Sequence, residues 1–142
     1  MFKKVLVPVD GSESSWRALQ AGKELAEKFA GEVVVLTVTQ PNSALSLIVD
    51  KHEVNRSNAE LQAVSEKILS LAKLKLGDLS NKAKFVLEAG HPAESIIAGA
   101  KKNGCDCIVI GRRGLSGVAE FFLGSVSASV AQQAEIPVVI VK

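Results

Sequence analysis

Cysteine is scarce in this chain of 142 residues. Its two cysteines, Cys105 and Cys107, are separated by one residue, whereas a thiol redox loop has two residues between its cysteines. A zinc site would need two further ligands, and the only histidines are His52 and His91. Both cysteines fall in a predicted strand, where alternate side chains point to the same face. We therefore expect buried, apolar thiols and no functional disulfide.

The sequence also lacks a strong excess of one charge and any long apolar run. Its 17 basic and 15 acidic residues are interleaved and give a formal net charge of +2, so there is no basic stripe for nucleic acid. No apolar run reaches the roughly 18 residues that cross a bilayer. The first strand begins close to Met1, which leaves no room for a signal peptide. We expect a single cytoplasmic domain over residues 1–142.

Short apolar runs alternate with amphipathic stretches along the chain. Runs rich in Val, Ile and Leu predict strands at Val5–Val9, Val33–Thr39, Lys84–Glu88, Cys105–Ile110 and Val138–Val141. Helices are predicted between them, after a Ser12 cap, over the Leu61–Leu76 stripe, from Pro92 onward, and over Val126–Ala134. Residues 41–58 are too irregular for a prediction. Strict alternation predicts an α/β fold with a parallel sheet covered on both faces.

Glycines follow the predicted fourth strand with a distinctive spacing, in which Gly111 and Gly114 flank two residues and Gly124-Ser125 follows after nine more. A Walker A loop would need Gly-Lys before Ser or Thr, and a dinucleotide fingerprint would follow the first strand; neither occurs. Glycines let N–H groups approach an oxygen closely, and a helix start adds unpaired N–H donors. The segment therefore indicates phosphate binding, with ordinary glycine-containing loops as the alternative.

Several segments together resemble the universal stress protein family in order and spacing. They are the N-terminal Lys3–Ser12, which ends in Val-Asp-Gly-Ser, the central Gly90–Ile96, the glycine segment, and the final Ile136–Val141. The resemblance covers essentially the whole chain as one copy, and the glycine pattern is similar to that of the ATP-binding branch. Arg112-Arg113 departs from the family, because many members carry a small residue at the first position.

This resemblance implies a specific architecture. The family has a doubly wound five-stranded parallel sheet of order 3-2-1-4-5 with helices on both faces, Rossmann-like and similar to the adenine nucleotide alpha hydrolases. Ligands of such sheets bind beyond the carboxyl ends of the strands where the order reverses, here between strands one and four. The residues at those ends are Asp10 and Gly111. Two motifs found separately in the sequence are thus expected to meet in one crevice.

The resemblance also implies roles for individual residues toward ATP. Asp10 would accept hydrogen bonds from the ribose hydroxyls, with a cap on the following helix as the alternative. Pro8 and Val9 would line the adenine pocket and Val38 would offer backbone atoms to the base, while Ile110 would pack near the sugar. Nonspecific core packing is the alternative role for these residues. The ribose and phosphates would be met mainly by N–H groups of Gly111, Gly114, Gly124, Ser125, Val126 and Ser127. Arg112 and Arg113 either pair with the phosphate tail or are solvated loop charges.

Hydrolysis and association are separate questions. Phosphoryl transfer needs a group that orients water and usually residues that hold a metal. The one acidic residue between the glycine turns is Glu120. We therefore expect a nucleotide-binding switch, with Mg or Mn carried by the phosphates. A slow ATPase and an interaction module without nucleotide are the alternatives. Strand five, Val138-Val139-Ile140-Val141, is an edge of β-branched residues, which favours a homodimer through this strand, as the resemblance also implies.

Overall fold

The computed structural model describes residues 1–40, 51–113 and 123–142, without the side chains of residues 51–57. In chain order the described elements are β1 (Lys4–Pro8), α1 (Glu13–Lys28), β2 (Glu32–Thr39), α2 (Lys51–Leu76), a 3₁₀ helix (Gly77–Lys82), β3 (Ala83–Ala89), α3 (Pro92–Lys102), β4 (Cys107–Gly111), α4 (Ser125–Gln133) and β5 (Val138–Val141).

The strands form one parallel sheet in the order β3-β2-β1-β4-β5. The central strand β1 pairs with β2 from Lys4 opposite Glu32 to Pro8 opposite Leu36. On its other side it pairs with β4, where Leu6 is opposite Ile108. The predicted doubly wound, Rossmann-like strand order is confirmed. Strands β2 and β3 are added on one side of β1 and strands β4 and β5 on the other, so the strand order reverses between β1 and β4.

Two apolar layers enclose the sheet because successive strand residues point to opposite faces. Val5 and Val7 of β1 pack with α1 and α2 on one face, whereas Leu6 packs with α3 and α4 on the other. All three side chains are fully buried. Strands buried on both faces explain why the sequence shows continuous apolar runs here and no alternation with polar residues.

The structure corrects the expected arrangement of the two cysteines. Strand β4 begins at Cys107, so Cys105 precedes the strand and the alternation rule does not apply to the pair. Cys107 packs in the layer of α1 and α2, and Cys105 in that of α3 and α4. The expected burial of both thiols is confirmed, and burial raises the pKa of each from 9.0 to about 11.

Helix α2 begins earlier than its apolar stripe. The sequence predicts a helix over Leu61–Leu76, whereas the structure starts it at Lys51, within the stretch for which no prediction was possible. Residues 41–50 lie outside the described part of the chain. Within the described residues, no helix is both long and apolar enough to cross a membrane.

Candidate functional site

A cavity of about 690 Å³ opens beyond the carboxyl ends of β1, β2 and β4. The sequence-predicted residues that line it are Pro8, Val9, Asp10, Val38, Ile110, Gly111, Arg113, Gly124, Ser125, Val126 and Ser127. Of the remaining two, Arg112 is not among the described lining residues, and Gly114 lies outside the described part of the chain. The structure thus brings the motifs that follow β1 and β4 to one cavity, at the expected reversal of strand order.

The turn after β1 fixes the carboxylate of Asp10. Its Oδ1 accepts a hydrogen bond from the Ser12 N–H at 2.9 Å. Ser12 in turn caps α1, because its Oγ accepts from the Ser15 N–H at 3.1 Å. The helix cap proposed as an alternative role for Asp10 therefore belongs to Ser12, and Asp10 holds the turn that precedes it. This contact orients the Asp10 carboxylate at the cavity wall.

Strand β2 presents the backbone of Val38 to the cavity. Leu36 O accepts from the Val9 N–H at 2.8 Å, and Thr39 O accepts from the Gly90 N–H at 2.9 Å. Even-numbered residues of β2 therefore direct their peptide groups toward β1, and odd-numbered residues direct them toward β3. The pairing with β1 ends at Leu36, so Val38 directs one N–H and one C=O into the space beyond β1. This pair is suited to a flat ligand with an adjacent donor and acceptor.

The loop after β4 is held at the peptide groups of Arg112. Its N–H donates to Val141 O at 2.8 Å, and its carbonyl oxygen accepts from the Gly124 N–H, also at 2.8 Å. The N–H of Gly124, expected from the sequence to face phosphate, is therefore used within the protein. Helix α4 starts directly afterwards, and the N–H groups of its first turn have no acceptor within the helix.

The start of α4 consequently supplies the donors of the site. Ser125, Val126 and Ser127 form its first turn, and all three line the cavity. Their N–H groups, which have no acceptor within the helix, and the positive end of the helix dipole attract an anion. No acidic residue lies in this first turn to oppose an anion electrostatically.

Gly111 is required by the close approach of α1. A Cβ placed on Gly111 would lie 2.5 Å from Ser14 Oγ and 2.7 Å from Ser14 O. The next residues remain in contact with the same serine, since the Arg113 N–H donates to Ser14 Oγ at 3.2 Å. The glycine of the motif therefore lets β4 and the start of α1 meet, next to the cavity that Gly111 lines.

The two arginines of the loop differ. Arg113 lines the cavity, so it is the one available to a bound anion. Arg112 has a buried Nε without a hydrogen-bond partner in the described structure. The sequence alone left both arginines with the same two alternative roles, because neighbouring loop residues carry no periodic signal that separates their directions.

Helix α2 contributes a wall that sequence reasoning missed. Leu61, Val64, Ser65 and Ile68 line the cavity, and Val64 remains 58% exposed. Leu123, just before α4, is 44% exposed and lines it as well. The apolar stripe of α2 was visible in the sequence, but its period does not tell which positions face the core and which face a cavity.

Comparison with known proteins identifies the family. The model of the Universal stress protein family matches residues 1–142. The chain belongs to the universal stress protein family. Universal stress protein YxiE of Bacillus subtilis is 36% identical, with 100% of each chain covered.

Solved structures of the family share the fold. The structure of MJ0577, from Methanocaldococcus jannaschii, superposes with a TM-score of 0.87 at 31% identity and covers 100% of this chain and 96% of its own. A universal stress protein in complex with cAMP superposes with a TM-score of 0.73 at 26% identity, covering 98% of this chain and 95% of its own.

Proposed function

We propose that this universal stress protein binds an adenine nucleotide, ATP foremost, in the cavity and acts as a nucleotide-dependent regulatory protein of the stress response. The observation that carries the proposal is the convergence of three different groups on one cavity. These are the backbone donor and acceptor of Val38, the carboxylate of Asp10 and the first turn of α4. Each suits a different part of a nucleotide.

The order of these groups across the sheet defines an orientation for the ligand. The base lies at the end of β2, where Val38 offers an N–H and a C=O to the edge of adenine. The ribose lies at the end of β1, where the Asp10 carboxylate accepts from its hydroxyls. The phosphates lie at the first turn of α4, with Arg113 beside them. Apolar side chains of Val9, Ile110 and their neighbours cover the base and sugar.

The size of the site and the strength of its contacts are adequate for such a ligand. Small-molecule pockets typically enclose about 300 to 1,000 Å³, and this cavity has about 690 Å³. Micromolar affinity requires about 8 kcal/mol. Hydrogen bonds to a charged group contribute about 1.5 to 3 kcal/mol each, so several amide donors together with burial of the base reach this value after the cost of association. The relative solved with cAMP supports an adenine nucleotide as the ligand class.

We place the protein among nucleotide-binding switches ahead of enzymes. Among the described lining residues the only carboxylate is Asp10, which the proposed orientation puts at the ribose. The described residues contain no group of three or more His, Cys, Asp or Glu that could hold a metal. We propose that Mg or Mn is carried by the phosphates. Slow ATP hydrolysis is the nearest alternative, and phosphate release in a single turnover that Ser125→Pro removes would favour it.

A proline at the first position of α4 tests the phosphate site directly. Ser125 is the first residue of α4, a position where proline is compatible with the helix. Gly124 before it has φ −62° and ψ 156°, a conformation that a residue before proline readily adopts. Ser125→Pro therefore removes one N–H donor and preserves the helix. We expect ATP affinity to fall by about 10-fold or more, since one charge-assisted hydrogen bond is lost.

The matched control is Ser125→Ala, which removes the hydroxyl and keeps the N–H. Isothermal titration of nucleotide-free protein with ATP, ADP and GTP, together with thermal unfolding of each variant, provides the readout. Binding of ATP by wild type but equally by Ser125→Pro would show that α4 is not the phosphate site. Absence of binding by wild type at millimolar ATP would refute the proposed function.

The dimer proposal concerns the edge strand β5. Within the described structure β5 pairs with β4 alone, and its four residues are half-buried, so its outer edge has free peptide groups. We propose a homodimer in which Val138–Val141 of two copies meet. Val139→Lys is expected to yield monomers in light scattering, whereas Val86→Lys on the opposite edge strand β3 should not. An unchanged mass for Val139→Lys would count against this interface.

A further inference from the structure

The backbone after β4 is held from both sides of the sheet by buried serine side chains. Ser127 of α4 is 3% exposed, and its Oγ lies 2.8 Å from Arg112 O and 3.0 Å from Gly124 O. Ser14 of α1 is 6% exposed, and its Oγ accepts from the Arg113 N–H. The two serines come from helices that pack on opposite faces of the sheet. Together they hold the C=O and the N–H of a single peptide group, the one that joins Arg112 to Arg113.

We propose that Ser127 is a positioning residue of the nucleotide site, whose hydroxyl holds the Arg112 carbonyl and does not bind phosphate. Ser14 has the complementary role on the other side. A hydroxyl has a single proton, and the proton of Ser127 is donated to the two carbonyl oxygens. Its lone pairs can only accept, and an ionised phosphate has no proton to donate. Only the peptide N–H of Ser127 is left for an anion.

The arrangement also explains how this hydroxyl affects the site from a distance. The Arg112 carbonyl receives two donors, Ser127 Oγ and the Gly124 N–H, both at 2.8 Å. It therefore ties the end of β4 to the start of α4, whose first-turn N–H groups are the proposed phosphate donors. Without the hydroxyl, one of these two ties is lost, and the distance between Arg113 and the start of α4 is less well defined.

The experiment separates a positioning hydroxyl from a ligand by comparing ATP with adenosine. This inference depends on the proposed function, so wild-type binding of ATP is measured first. For Ser127→Ala we expect ATP affinity to fall by about 3- to 10-fold, the equivalent of one lost hydrogen bond, with adenosine affinity unchanged. Ser127→Thr keeps the hydroxyl and should restore ATP affinity. Ser70→Ala, which removes an exposed serine hydroxyl of α2 away from the cavity, should leave both affinities unchanged.

Amide hydrogen exchange of the nucleotide-free protein gives a readout that does not depend on binding. In Ser127→Ala the amides of Gly124 and Arg112 should exchange faster, while those of β2 keep their protection. Ser14→Ala should also lower ATP affinity and leave adenosine affinity unchanged. If the added methyl group of Ser127→Thr lowers the melting temperature below that of Ser127→Ala, the comparison uses Ser14→Ala in place of Ser127→Thr. Equal losses for ATP and adenosine, no loss for ATP, or unchanged exchange at Gly124 would each overturn the proposal. Failure of wild type to bind ATP, with faster exchange in Ser127→Ala, would refute the nucleotide function and retain the structural role.

Discussion

Substitution of Gly111 by alanine tests the close contact on which both the fold and the cavity depend. The added Cβ would lie 2.5 Å from Ser14 Oγ and 2.7 Å from Ser14 O. Ordinary Cβ contacts begin at about 3.4 Å, so the first turn of α1 must move away from β4 by several tenths of an ångström. This movement also stretches the hydrogen bond from the Arg113 N–H to Ser14 Oγ, which is 3.2 Å long in the structure.

The expected cost follows from these two effects. Overpacking of a well-packed region costs about 1 to 3 kcal/mol, and loss of one hydrogen bond costs about 0.5 to 1.5 kcal/mol. Replacement of glycine by alanine lowers the conformational entropy of the unfolded chain, which by itself stabilises the folded protein by about 0.4 to 1 kcal/mol. Gly111→Ala should therefore lower the free energy of unfolding by about 2 to 3 kcal/mol, which moves the midpoint of a urea titration down by about 1 to 2 M.

Gly77→Ala is the matched control because it changes a glycine that is needed for a different reason. Nothing lies within 4 Å of a Cβ on Gly77, but its φ is +59°. The left-handed conformation costs alanine about 1 to 2 kcal/mol, part of which the unfolded-state effect offsets. Gly77→Ala should thus destabilise less and leave ATP affinity unchanged, whereas Gly111→Ala should weaken ATP binding as well. A midpoint shift for Gly111→Ala no larger than that for Gly77→Ala would refute the reasoning from contact distances.

Three further predictions concern a helix cap, the thiols and Gly124. Ser12→Ala removes the acceptor for the Ser15 N–H and should lower the free energy of unfolding by about 1 kcal/mol in urea titrations; an equal loss from Ser70→Ala, on the exposed side of α2, would contradict a capping role. Burial raises the pKa of both thiols from 9.0 to about 11, so the thiols ionise at a lower pH in the unfolded chain than in the folded one. Their contribution to stability is therefore complete below pH 9 and is lost as the pH rises toward 11. The melting temperature should fall less steeply between these pH values when both cysteines are replaced by alanine. Parallel plots of melting temperature against pH for the two proteins would argue against the raised thiol pKa. A Cβ on Gly124 would lie 3.2 Å from a carbonyl oxygen, so Gly124→Ala should retain ATP within a few-fold and Gly124→Val should lose it; equal titration curves for Gly124→Val and wild type would contradict the geometry at this turn.

The sequence predicted the elements and their type well, because the signals involved are local. Runs of β-branched residues, Ser12 at a helix start and Pro92 at a first turn each act within a few residues, and the structure confirms all of them. The error over the cysteines has the same origin. Alternation applies only inside a strand, and the start of β4 at Cys107 depends on its pairing with β1 and β5.

The candidate site was predictable as a set of motifs but not as a set of roles. Asp10 and the glycine segment were recognisable from type and spacing, and the order of strands brings them together. The sequence did not reveal which hydrogen-bond donors are available to a ligand. The Gly124 N–H and the Ser127 hydroxyl both donate to the Arg112 carbonyl, a contact that depends on the tertiary structure. The wall formed by α2 was missed because an apolar stripe has the same period whether it faces a core or a cavity.

The amino-acid sequence by itself determined the alternation of strands and helices, the caps and the glycines at the end of β4, since each rests on the chemistry of neighbouring residues. Tertiary structure alone decided which hydroxyls and amides remain available to a ligand. The Arg113 N–H and the Ser14 hydroxyl, 99 positions apart, meet only because α1 packs against β4. Contacts at such separation depend on the packing of whole elements, and no local pattern encodes them.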